Sequence, residues 1–403
     1  MSQPIRILYL NHTGKVSGAE KVLLSILKGL RRDFFVPMVI CGSDGPLAET
    51  IKSMGIECDT VTPLQARFTA RPDHLFKYCI SIAMSIFELR SRIKRARPDI
   101  LHCNTVRSGI VATAATAGMS MPIIWHVHDI LPNHFISTVI RYLAYLSKRS
   151  QALCVSRATA AAFKRSLDFG NRVNVLHNGV DLSQFPRKVA ADCAFRSTLG
   201  IDLNLPLFCT VGQIAPRKNL RGLLNAFSQF QHHSGPASLL IVGEAIFNED
   251  FNYRDELLQQ VKSLGQQRNV HFLGARQDVP AIMRACDALI LNSLEEPFGL
   301  VLVEAMSSGT TVVATEVGGI PEIVTDRVTG FLVPSDAPDV LAATLRQIVY
   351  NQNLCLAIED KAWNTVCPEY SVQIFLSKLD AFYTRVASDI SRLDTAAEVR
   401  AYS

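Results

Sequence analysis

Two carboxylates flank the start of an apolar segment in the C-terminal half of the chain. Pro297 biases Glu296 away from helical backbone, and Glu304 is the lone charge within the apolar stretch 300–308. We predict a buried helix over this stretch, ending at Gly309. Because a buried, unpaired carboxylate is costly, Glu304 should contact a protein cation or the hydroxyl groups of a ligand.

The spacing of these carboxylates limits what they can do together. At a rise of ~1.5 Å per residue, Glu296 and Glu304 should be on the order of 10 Å apart. The carboxyl groups of a retaining glycosidase are closer, at about 5.5 Å. The pattern therefore favours one carboxylate on a sugar and the other on a ribose, with a pyrophosphate on backbone N–H groups between them. Gly299 would let such a ligand approach the backbone closely.

Short β-branched runs alternate with longer helical stretches along the whole chain. This alternation predicts an α/β fold with parallel sheets covered on both faces. The dinucleotide fingerprint G-x-G-x-x-G is absent, and so is the P-loop G-x-x-x-x-G-K-[ST]. A nicotinamide oxidoreductase and a P-loop nucleotidase are therefore disfavoured.

The length of 403 residues suits two α/β domains. The polar stretch 181–198 has weak periodicity and contains a proline, so we place a linker near 183–200. The predicted domains are residues 1–190 and 191–370, followed by a C-terminal segment, 371–403, with a helix over 372–386 and a frayed end.

Composition describes a globular protein whose two halves differ in charge. No stretch approaches the ~20 apolar residues of a membrane-spanning helix, no signal peptide is recognised, and the ten scattered cysteines indicate core residues in a reducing cytoplasm. Residues 1–190 hold 25 Lys and Arg against 12 Asp and Glu, a net +13, whereas residues 191–403 hold 16 against 24, a net −8. The N-terminal half should attract an anionic partner.

The segment around the carboxylates resembles the signature of family 4 glycosyltransferases, which are retaining enzymes of the GT-B fold. Residues 296–306 read E-P-F-G-L-V-L-V-E-A-M, and the similarity extends over most of the chain. Its other motifs are Gly18-Ala-Glu20, Trp125-His-Val-His-Asp129, Val155-Ser-Arg157, His177-Asn-Gly-Val-Asp181 and Arg217-Lys-Asn219. The resemblance implies two Rossmann-like domains with an interdomain cleft, and a last helix that crosses back to the first domain.

The resemblance also implies roles for individual residues. The catalytic set would be Glu296 on the donor sugar's hydroxyls, Lys218 on the diphosphate leaving group and His128 near the reacting sugar. The donor-binding residues would be Glu304 on the ribose, Arg217 beside Lys218, the backbone of Phe298, Gly299 and Leu300, and Gly18 of the N-terminal loop. The implied activity is transfer of a sugar from a nucleotide diphosphate to a glycan or lipid-linked acceptor, with retention of anomeric configuration.

The sequence departs from the family pattern at two points. Gln213 stands where an arginine commonly follows the strand glycine, and the N-terminal loop has Ser-Gly-Ala-Glu where two adjacent glycines are common. The metal-binding motif D-x-D is absent, so Lys218, Arg217 and a helix N-terminus would have to stabilise the leaving group. We therefore expect metal-independent transfer that needs no cofactor beyond the nucleotide sugar.

Each of these residues has a structural alternative. Glu296 and Glu304 could form structural ion pairs, and Arg217 with Lys218 could lie in a solvated turn. We assign His126 and His128 to opposite faces of a strand end, with His126 structural.

The basic run at 90–97 could be a solvated helix end or a contact with an anionic membrane. Arg141, Lys148 and Arg149, within and after the apolar stretch 135–146, add to the second interpretation. Aromatic residues rarely alternate with these cations, so we expect no nucleic-acid binding. The predicted location is the cytoplasm, with peripheral contact at the inner face of the membrane.

Two other functions fit the same residues. One is a non-hydrolysing sugar-nucleotide epimerase, or a synthase acting on a soluble acceptor. The other is a non-catalytic subunit that binds a nucleotide sugar, against which the combination of Glu296, Glu304 and Lys218 argues. The sugar, the base and the acceptor are not determined at this stage.

Overall fold

The structure is a computed structural model that describes residues 3–61, 72–165, 167–189, 195–202, 204–246 and 248–401. Side chains are described for these ranges except in 72–82, 248–249 and 390–401. The chain divides into two compact units. The first comprises Met1–Asn178 with Phe375–Ser403, and the second comprises Gly179–Ile374.

The first unit is built on a seven-stranded parallel sheet in the order β3-β2-β1-β4-β5-β6-β7. Its strands are β1 (Ile5–Asn11), β2 (Phe35–Cys41), β3 (Glu57–Thr60), β4 (Ile100–Cys103), β5 (Ile123–Val127), β6 (Ser150–Cys154) and β7 (Val173–Val175). The helices between them are α1 (Gly18–Gly29), α2 (Pro46–Ser53), α3 (Pro72–Ala96), α4 (Val106–Ala115), α5 (Phe135–Leu146) and α6 (Arg157–Lys164).

Hydroxyl side chains start two of these helices. The Ser108 amide donates to Thr105 Oγ1 at 3.3 Å at the start of α4, and the Thr159 amide donates to Ser156 Oγ at 3.0 Å at the start of α6. These contacts satisfy amides that a helix leaves unpaired in its first turn. Each cap therefore fixes the residue at which its helix begins.

The second unit has a six-stranded parallel sheet in the order β10-β9-β8-β11-β12-β13. Its strands are β8 (Leu207–Val211), β9 (Ser238–Val242), β10 (Val270–Gly274), β11 (Ala288–Leu291), β12 (Thr311–Thr315) and β13 (Phe331–Val333). The remaining helices are α7 (Phe195–Thr198), α8 (Leu220–Ser234), α9 (Asn248–Ser263), α10 (Val279–Ala285), α11 (Leu300–Ser307), α12 (Pro338–Tyr350), α13 (Gln352–Glu369) and α14 (Val372–Ala401).

Both units are therefore Rossmann-like, as the alternating pattern predicts. Each sheet has its own buried core, in which Trp125 packs with Phe163 in the first unit and Phe208 packs with Phe230 in the second. The central strands are covered on both faces and are almost continuously apolar, whereas the edge strands β3 and β7 are less buried. None of the helices in the described ranges has the length and apolar content needed to cross a membrane.

The division between the units lies before the expected boundary at residue 190. The segment after Asn178 packs within the second unit: the Val180 amide donates to the Tyr370 carbonyl at 2.8 Å, and the Lys188 amide donates to the Ser308 carbonyl at 2.9 Å. The polar composition of 181–198 predicts a linker, because side-chain polarity gives no information on the backbone hydrogen bonds that hold this segment to the second unit. Part of that expected linker, 190–194, lies outside the described residues.

The last helix is longer than the sequence pattern predicts. Helix α14 runs from Val372 to Ala401, beyond the expected end at residue 386, and from Phe375 onward it belongs to the first unit. Within that unit the Tyr383 hydroxyl lies 3.1 Å from the Tyr9 hydroxyl, and Asp380 pairs with Arg31 at 2.7 Å. Loss of apolar periodicity after residue 386 suggested fraying, but charged and small residues also favour a helix.

Candidate functional site

Each sheet has a topological switch point, which lies between two neighbouring strands whose following connections run to opposite sides of the sheet. In the second unit this point lies between β8 and β11, which pair through Phe208 and Ala288. Ligands of open α/β sheets bind outside the carboxyl ends of strands at such points. A pocket occurs here, lined by Thr210, Val211, Gly212, Gln213, Lys218, Leu220, Ile241, Val242 and Leu291.

Two glycines let the loops after β8 and β9 approach each other. The Gly212 amide donates to the Val242 carbonyl at 2.9 Å. Gly243 has a φ of 137°, and a Cβ on it would lie 1.8 Å from the Gly212 carbonyl oxygen. Any side chain at Gly243 would therefore separate these loops, which form one wall of the pocket.

Lys218 lies on a short 3-10 turn, Pro216–Lys218, that is fixed to the loop after β11. The Leu294 amide donates to the Arg217 carbonyl at 2.8 Å, and Asn292 Nδ2 donates to the Asn219 carbonyl at 3.0 Å. Asn219 has left-handed backbone, and its side chain accepts from the Gly222 amide at the start of α8. The sequence analysis missed the roles of Asn219 and Asn292, although tolerance of left-handed backbone by asparagine was a usable signal for the first.

Glu296 and Lys218 form an ion pair at this switch point. Lys218 Nζ lies 2.5 Å from Glu296 Oε2, and the two side chains are only 14% and 10% exposed. Ser293 Oγ donates to the same carboxylate oxygen at 3.2 Å, and the Gly319 amide donates to the Glu296 carbonyl at 2.9 Å. The sequence predicted both residues separately, and the structure brings them into direct contact.

The start of α11 lies directly after this pair. Gly299 precedes the helix with a φ of 102°, a left-handed conformation that strains any residue with a side chain. Leu300 begins the helix, which is buried along most of its length and carries no side-chain cap at its start. Phe298 is buried and packs on Tyr370, with ring centroids 5.6 Å apart, so it offers its backbone to a ligand more readily than its ring.

Glu304 lies within α11 and is partly exposed. The expectation of a fully buried carboxylate is therefore too strong, because the face of this short helix that carries Glu304 is not fully covered. Its predicted distance from Glu296 and its role on a ribose stay predictions.

Gln213 and Arg217 are joined in a short polar chain. Gln213 Nε2 donates to Asp250 Oδ2 at 2.7 Å, and Arg217 donates to Gln213 Oε1 at 3.5 Å. Asp250 is buried and also accepts from the Ile246 amide at 3.3 Å. Gln213, which stands where an arginine is common in the family, contacts Arg217 at its side-chain oxygen and adds no charge.

In the first unit, Gly18 is the first residue of α1. Ser17, just before it, is held by Glu20, whose Oε2 accepts from the Ser17 amide at 3.0 Å and from its hydroxyl at 2.5 Å. A Cβ on Gly18 would meet no atom within 4 Å, so the backbone is open to an approaching group. Its predicted contact with phosphates stays a prediction.

His126 and His128 face the same way, and the expectation that they face opposite ways is wrong. Their ring centroids are 4.0 Å apart, because residues two apart in an extended strand share a face. His128 directly follows β5, and burial lowers its pKa to about 3. The imidazole is therefore neutral at physiological pH and can bind a hydroxyl group without carrying charge.

A buried polar chain fixes the His126 ring against His128. Tyr9 and Tyr383 meet through their hydroxyls, Tyr383 lies 2.8 Å from His102 Nδ1, and His102 Nε2 lies 3.2 Å from His126 Nδ1. Burial lowers the pKa of His102 to about 3, with a contribution from His128, and that of His126 well below its ordinary value.

The neutral chain has a preferred direction. Donation from Tyr9 to Tyr383, then to His102 and on to His126, leaves a single buried group unpaired, the N–H of His126 Nε2. The reverse direction leaves two groups unpaired, which costs more. The sequence analysis assigned His126 a structural role and missed His102, which no motif indicates.

Two family models match the chain in succession. The Glycosyltransferase Family 4 model matches residues 16–184, and the model described as Glycosyl transferases group 1 matches residues 194–365. The second match contains the site at the β8–β11 switch point. The first match contains Gly18 and His128.

Three similar proteins illustrate the range of relatives. The Escherichia coli UDP-Gal:alpha-D-GlcNAc-diphosphoundecaprenol alpha-1,3-galactosyltransferase is 24% identical over 82% of this chain and 84% of its own length. The alpha-maltose-1-phosphate synthase of Mycobacterium tuberculosis is 30% identical over 60% of this chain and 65% of its own. The crystal structure of Anabaena HepE in complex with UDP-glucose is 27% identical, covers 94% of this chain and 100% of that one, and has a TM-score of 0.81.

The two sheets with their switch points, the ion pair beside α11 and the two successive family matches agree with one another. The chain belongs to the GT-B glycosyltransferases of family 4, the glycosyl transferases group 1.

Proposed function

We propose that this glycosyltransferase moves a hexose from a UDP-sugar to a lipid-linked glycan acceptor, with retention of configuration and without a metal ion. The observation that carries the proposal is the contact of Lys218 with Glu296 at the β8–β11 switch point, directly before the start of α11, which has no side-chain cap. The similar Anabaena protein was crystallised with UDP and with UDP-glucose, which supports UDP as the nucleotide part of the donor.

The donor would be held by cationic and N–H groups at its diphosphate and by carboxylates at its hydroxyl groups. Lys218 and Arg217 would neutralise the diphosphate, and the amides around Gly299 and Leu300 would donate hydrogen bonds to its oxygens at the positive end of α11. Glu296 would bind the sugar hydroxyls and, through its ion pair, orient the lysine. Glu304 would bind the ribose.

The reaction breaks the bond between the anomeric carbon and the diphosphate oxygen and forms a bond from that carbon to an acceptor hydroxyl. Lys218 would stabilise the negative charge that develops on the departing diphosphate. A diphosphate oxygen would take the acceptor's proton as it leaves. Retention follows from attack on the face of the sugar from which the diphosphate departs.

A lipid-linked acceptor is supported by the charge of the first unit and by the name of the Escherichia coli relative, which acts on a diphosphoundecaprenol-linked sugar. The alpha-maltose-1-phosphate synthases favour a second candidate, a soluble sugar phosphate. Peripheral contact with an anionic membrane belongs to the first candidate.

The proposal is tested first by thermal stabilisation with UDP, UDP-glucose, UDP-galactose and GDP-mannose, each with and without EDTA. A ligand present at ~100 times its Kd should stabilise the fold by roughly 2.7 kcal/mol. Products made from the stabilising donor are then analysed with a polyprenyl-diphosphate sugar and with a sugar phosphate as acceptors. If none of the nucleotide sugars stabilises the protein, the donor assignment is contradicted. If EDTA abolishes the stabilisation, metal independence is contradicted.

A further inference from the structure

Polar side chains lie together on one face of the first sheet, near the carboxyl ends of its strands. Tyr9 on β1 is in register with His102 on β4, His126 lies on β5 and His128 directly follows it. Tyr383 of α14 packs on the same face, and its ring centroid lies 5.8 Å from that of His102. Ligands of such sheets bind beyond the carboxyl ends of the strands. A line of polar groups therefore runs from the last helix toward the edge of the sheet at which a ligand binds.

Hydrogen bonds along this line determine which nitrogen of each imidazole carries the proton. The four side chains that form these bonds are fully buried, so an unpaired N–H or O–H group among them is costly. In the preferred direction the Tyr383 hydroxyl donates to His102 Nδ1, which places the His102 proton on Nε2. His102 Nε2 then donates to His126 Nδ1, which places the His126 proton on Nε2. The Tyr383 hydroxyl thus selects the tautomer of a histidine to which it is joined only through His102.

Tyr9 contributes to this line but does not select the tautomer. Without the Tyr9 hydroxyl, Tyr383 still has an acceptor in His102 Nδ1, whereas the reverse direction leaves the Tyr383 proton unpaired. Without the Tyr383 hydroxyl, His102 Nδ1 has lost its partner in either direction, and neither tautomer of His126 is preferred. The two tyrosines therefore differ in their effect on His126, although both are fully buried and share a hydrogen bond.

His126 supports His128 through the contact between their rings. The ring centroids are 4.0 Å apart, and the ring planes are inclined by 40°. Nε2 of His128 is buried and makes no hydrogen bond within the part of the chain that the structure describes. Packing on His126, and not a hydrogen bond at that atom, therefore orients the His128 ring. The tautomer of His126 also sets the polarity beside His128, because Nε2 presents an N–H group in one tautomer and a lone pair in the other.

We propose that Tyr383 and His102 are positioning residues of this enzyme. They hold His126 in the tautomer with its proton on Nε2, and the His126 ring holds His128 in the orientation in which it meets the donor sugar. The meeting of His128 with the sugar rests on the proposed function, whereas selection of the tautomer does not. The last helix of the chain thus contributes a hydroxyl group to the arrangement of the site as well as its packing.

The first test compares the two buried tyrosines by steady-state kinetics with the UDP-sugar that stabilises the wild type. Tyr383→Phe should lower kcat by about tenfold or more, because the reacting groups lose their alignment. Its KM for the donor and its affinity for UDP should stay within about twofold of wild type, because the lost contact is not a binding contact. Tyr9→Phe is the matched control: it also loses a buried hydroxyl and some stability, but its kcat should stay near that of the wild type. Equal losses of kcat in the two variants would show a role in stability only.

Two substitutions of His102 separate its hydrogen bonds from its packing. A glutamine amide accepts through its oxygen and donates through its nitrogen, as the preferred tautomer of His102 does, whereas leucine does neither. His102→Leu should lower kcat by about tenfold or more, and His102→Gln should restore at least part of this loss. Equal kcat values in the two variants would contradict the proposal.

Nuclear magnetic resonance of the protein with 15N-labelled histidine rings measures the tautomer without any substrate. Ring nitrogens with and without a proton differ in chemical shift, and the His126 signals are identified by their loss in His126→Gln. In the wild type and in Tyr9→Phe the His126 proton should be on Nε2. In Tyr383→Phe the signals should move toward a mixture of the two tautomers, since neither direction of donation is preferred.

A His126 proton on Nδ1 in the wild type, an unchanged tautomer in Tyr383→Phe, or a wild-type kcat in Tyr383→Phe overturns the proposal. Failure of the proposed function gives a different result. In that case the wild type forms no product with any UDP-sugar, and the ring spectra still show whether Tyr383 selects the tautomer of His126.

Discussion

Lys218 Nζ lies 2.5 Å from Glu296 Oε2, so a residue assigned to the leaving group and a residue assigned to the sugar form one unit. The pair is largely screened from solvent, and removal of either partner leaves the other charge without its counterpart. An assay of stability alone would therefore not distinguish a catalytic pair from a structural one. Donor binding must be measured beside it.

Lys218→Ala should weaken UDP binding by about 1.5–3 kcal/mol, the loss of a hydrogen bond to a charged group. Glu296→Gln should reduce turnover with a smaller effect on UDP affinity, because its proposed ligand contact is with the sugar and not with UDP. The double variant should regain part of the stability lost in each single variant without regaining affinity. Calorimetric titration with UDP, thermal unfolding and a turnover assay with the UDP-sugar that stabilises the wild type check these three statements.

The second unit offers a matched control in Lys188 and Glu359, an ion pair at 3.2 Å whose carboxylate is buried. Lys188→Ala and Glu359→Gln should lower stability and leave UDP affinity unchanged. If Lys218→Ala behaves like Lys188→Ala, the pair beside α11 is structural only.

Glu304→Ala should weaken nucleotide binding by roughly 1–3 kcal/mol, because the carboxylate that we propose for the ribose is lost. The expected loss is the same for UDP and UDP-glucose, since both contain the ribose. Glu369→Ala, an exposed position on α13, provides the comparison. Unchanged UDP affinity by calorimetry in Glu304→Ala would rule out the ribose role.

Gly243→Ala should lower the free energy of unfolding of the second unit by more than about 2 kcal/mol, which is large for a point substitution. Its Cβ would lie 1.8 Å from the Gly212 carbonyl oxygen, and the loops that form the pocket would have to separate. Gly235→Ala adds a Cβ at a φ of 88° where no atom lies within 4 Å, so its cost is backbone strain of about 1–3 kcal/mol without any steric clash. Equal unfolding midpoints in denaturant for the two variants would show that the loops can move apart at no cost.

The buried histidines predict loss of stability in mild acid. In the unfolded chain each imidazole takes up a proton near pH 6.5, whereas in the folded protein His102 and His128 do so only at about 3. Between these values the unfolded state binds more protons, so the free energy of unfolding falls as the pH is lowered. The slope is at most about 1.4 kcal/mol per pH unit for each histidine.

Denaturant unfolding at a series of pH values between 7.5 and 4.5, a range of roughly three units around the ordinary pKa, measures this slope. His102→Gln should reduce it, and His233→Gln, at an exposed position of α8, should not. Identical slopes for His102→Gln and the wild type would show that the His102 imidazole takes up its proton at the same pH in the folded protein as in the unfolded chain.

The sequence by itself determined the two Rossmann-like halves, the family and the residues that we propose for the donor site. Apolar periodicity reports which strands are buried on both faces, and the motif at 296–306 contains Glu296, Gly299 and Glu304 within one local segment. Local spacing also sets the start of α11 at Leu300.

Only the tertiary structure decided how distant residues meet. Lys218 and Glu296 are far apart in sequence and touch because β8 and β11 are neighbours at the switch point. The same holds for Tyr383 with His102, and for the unit boundary, where backbone hydrogen bonds join residues 180 and 188 to the second unit. Such contacts depend on strand order and backbone pairing, which the local pattern of side chains does not encode.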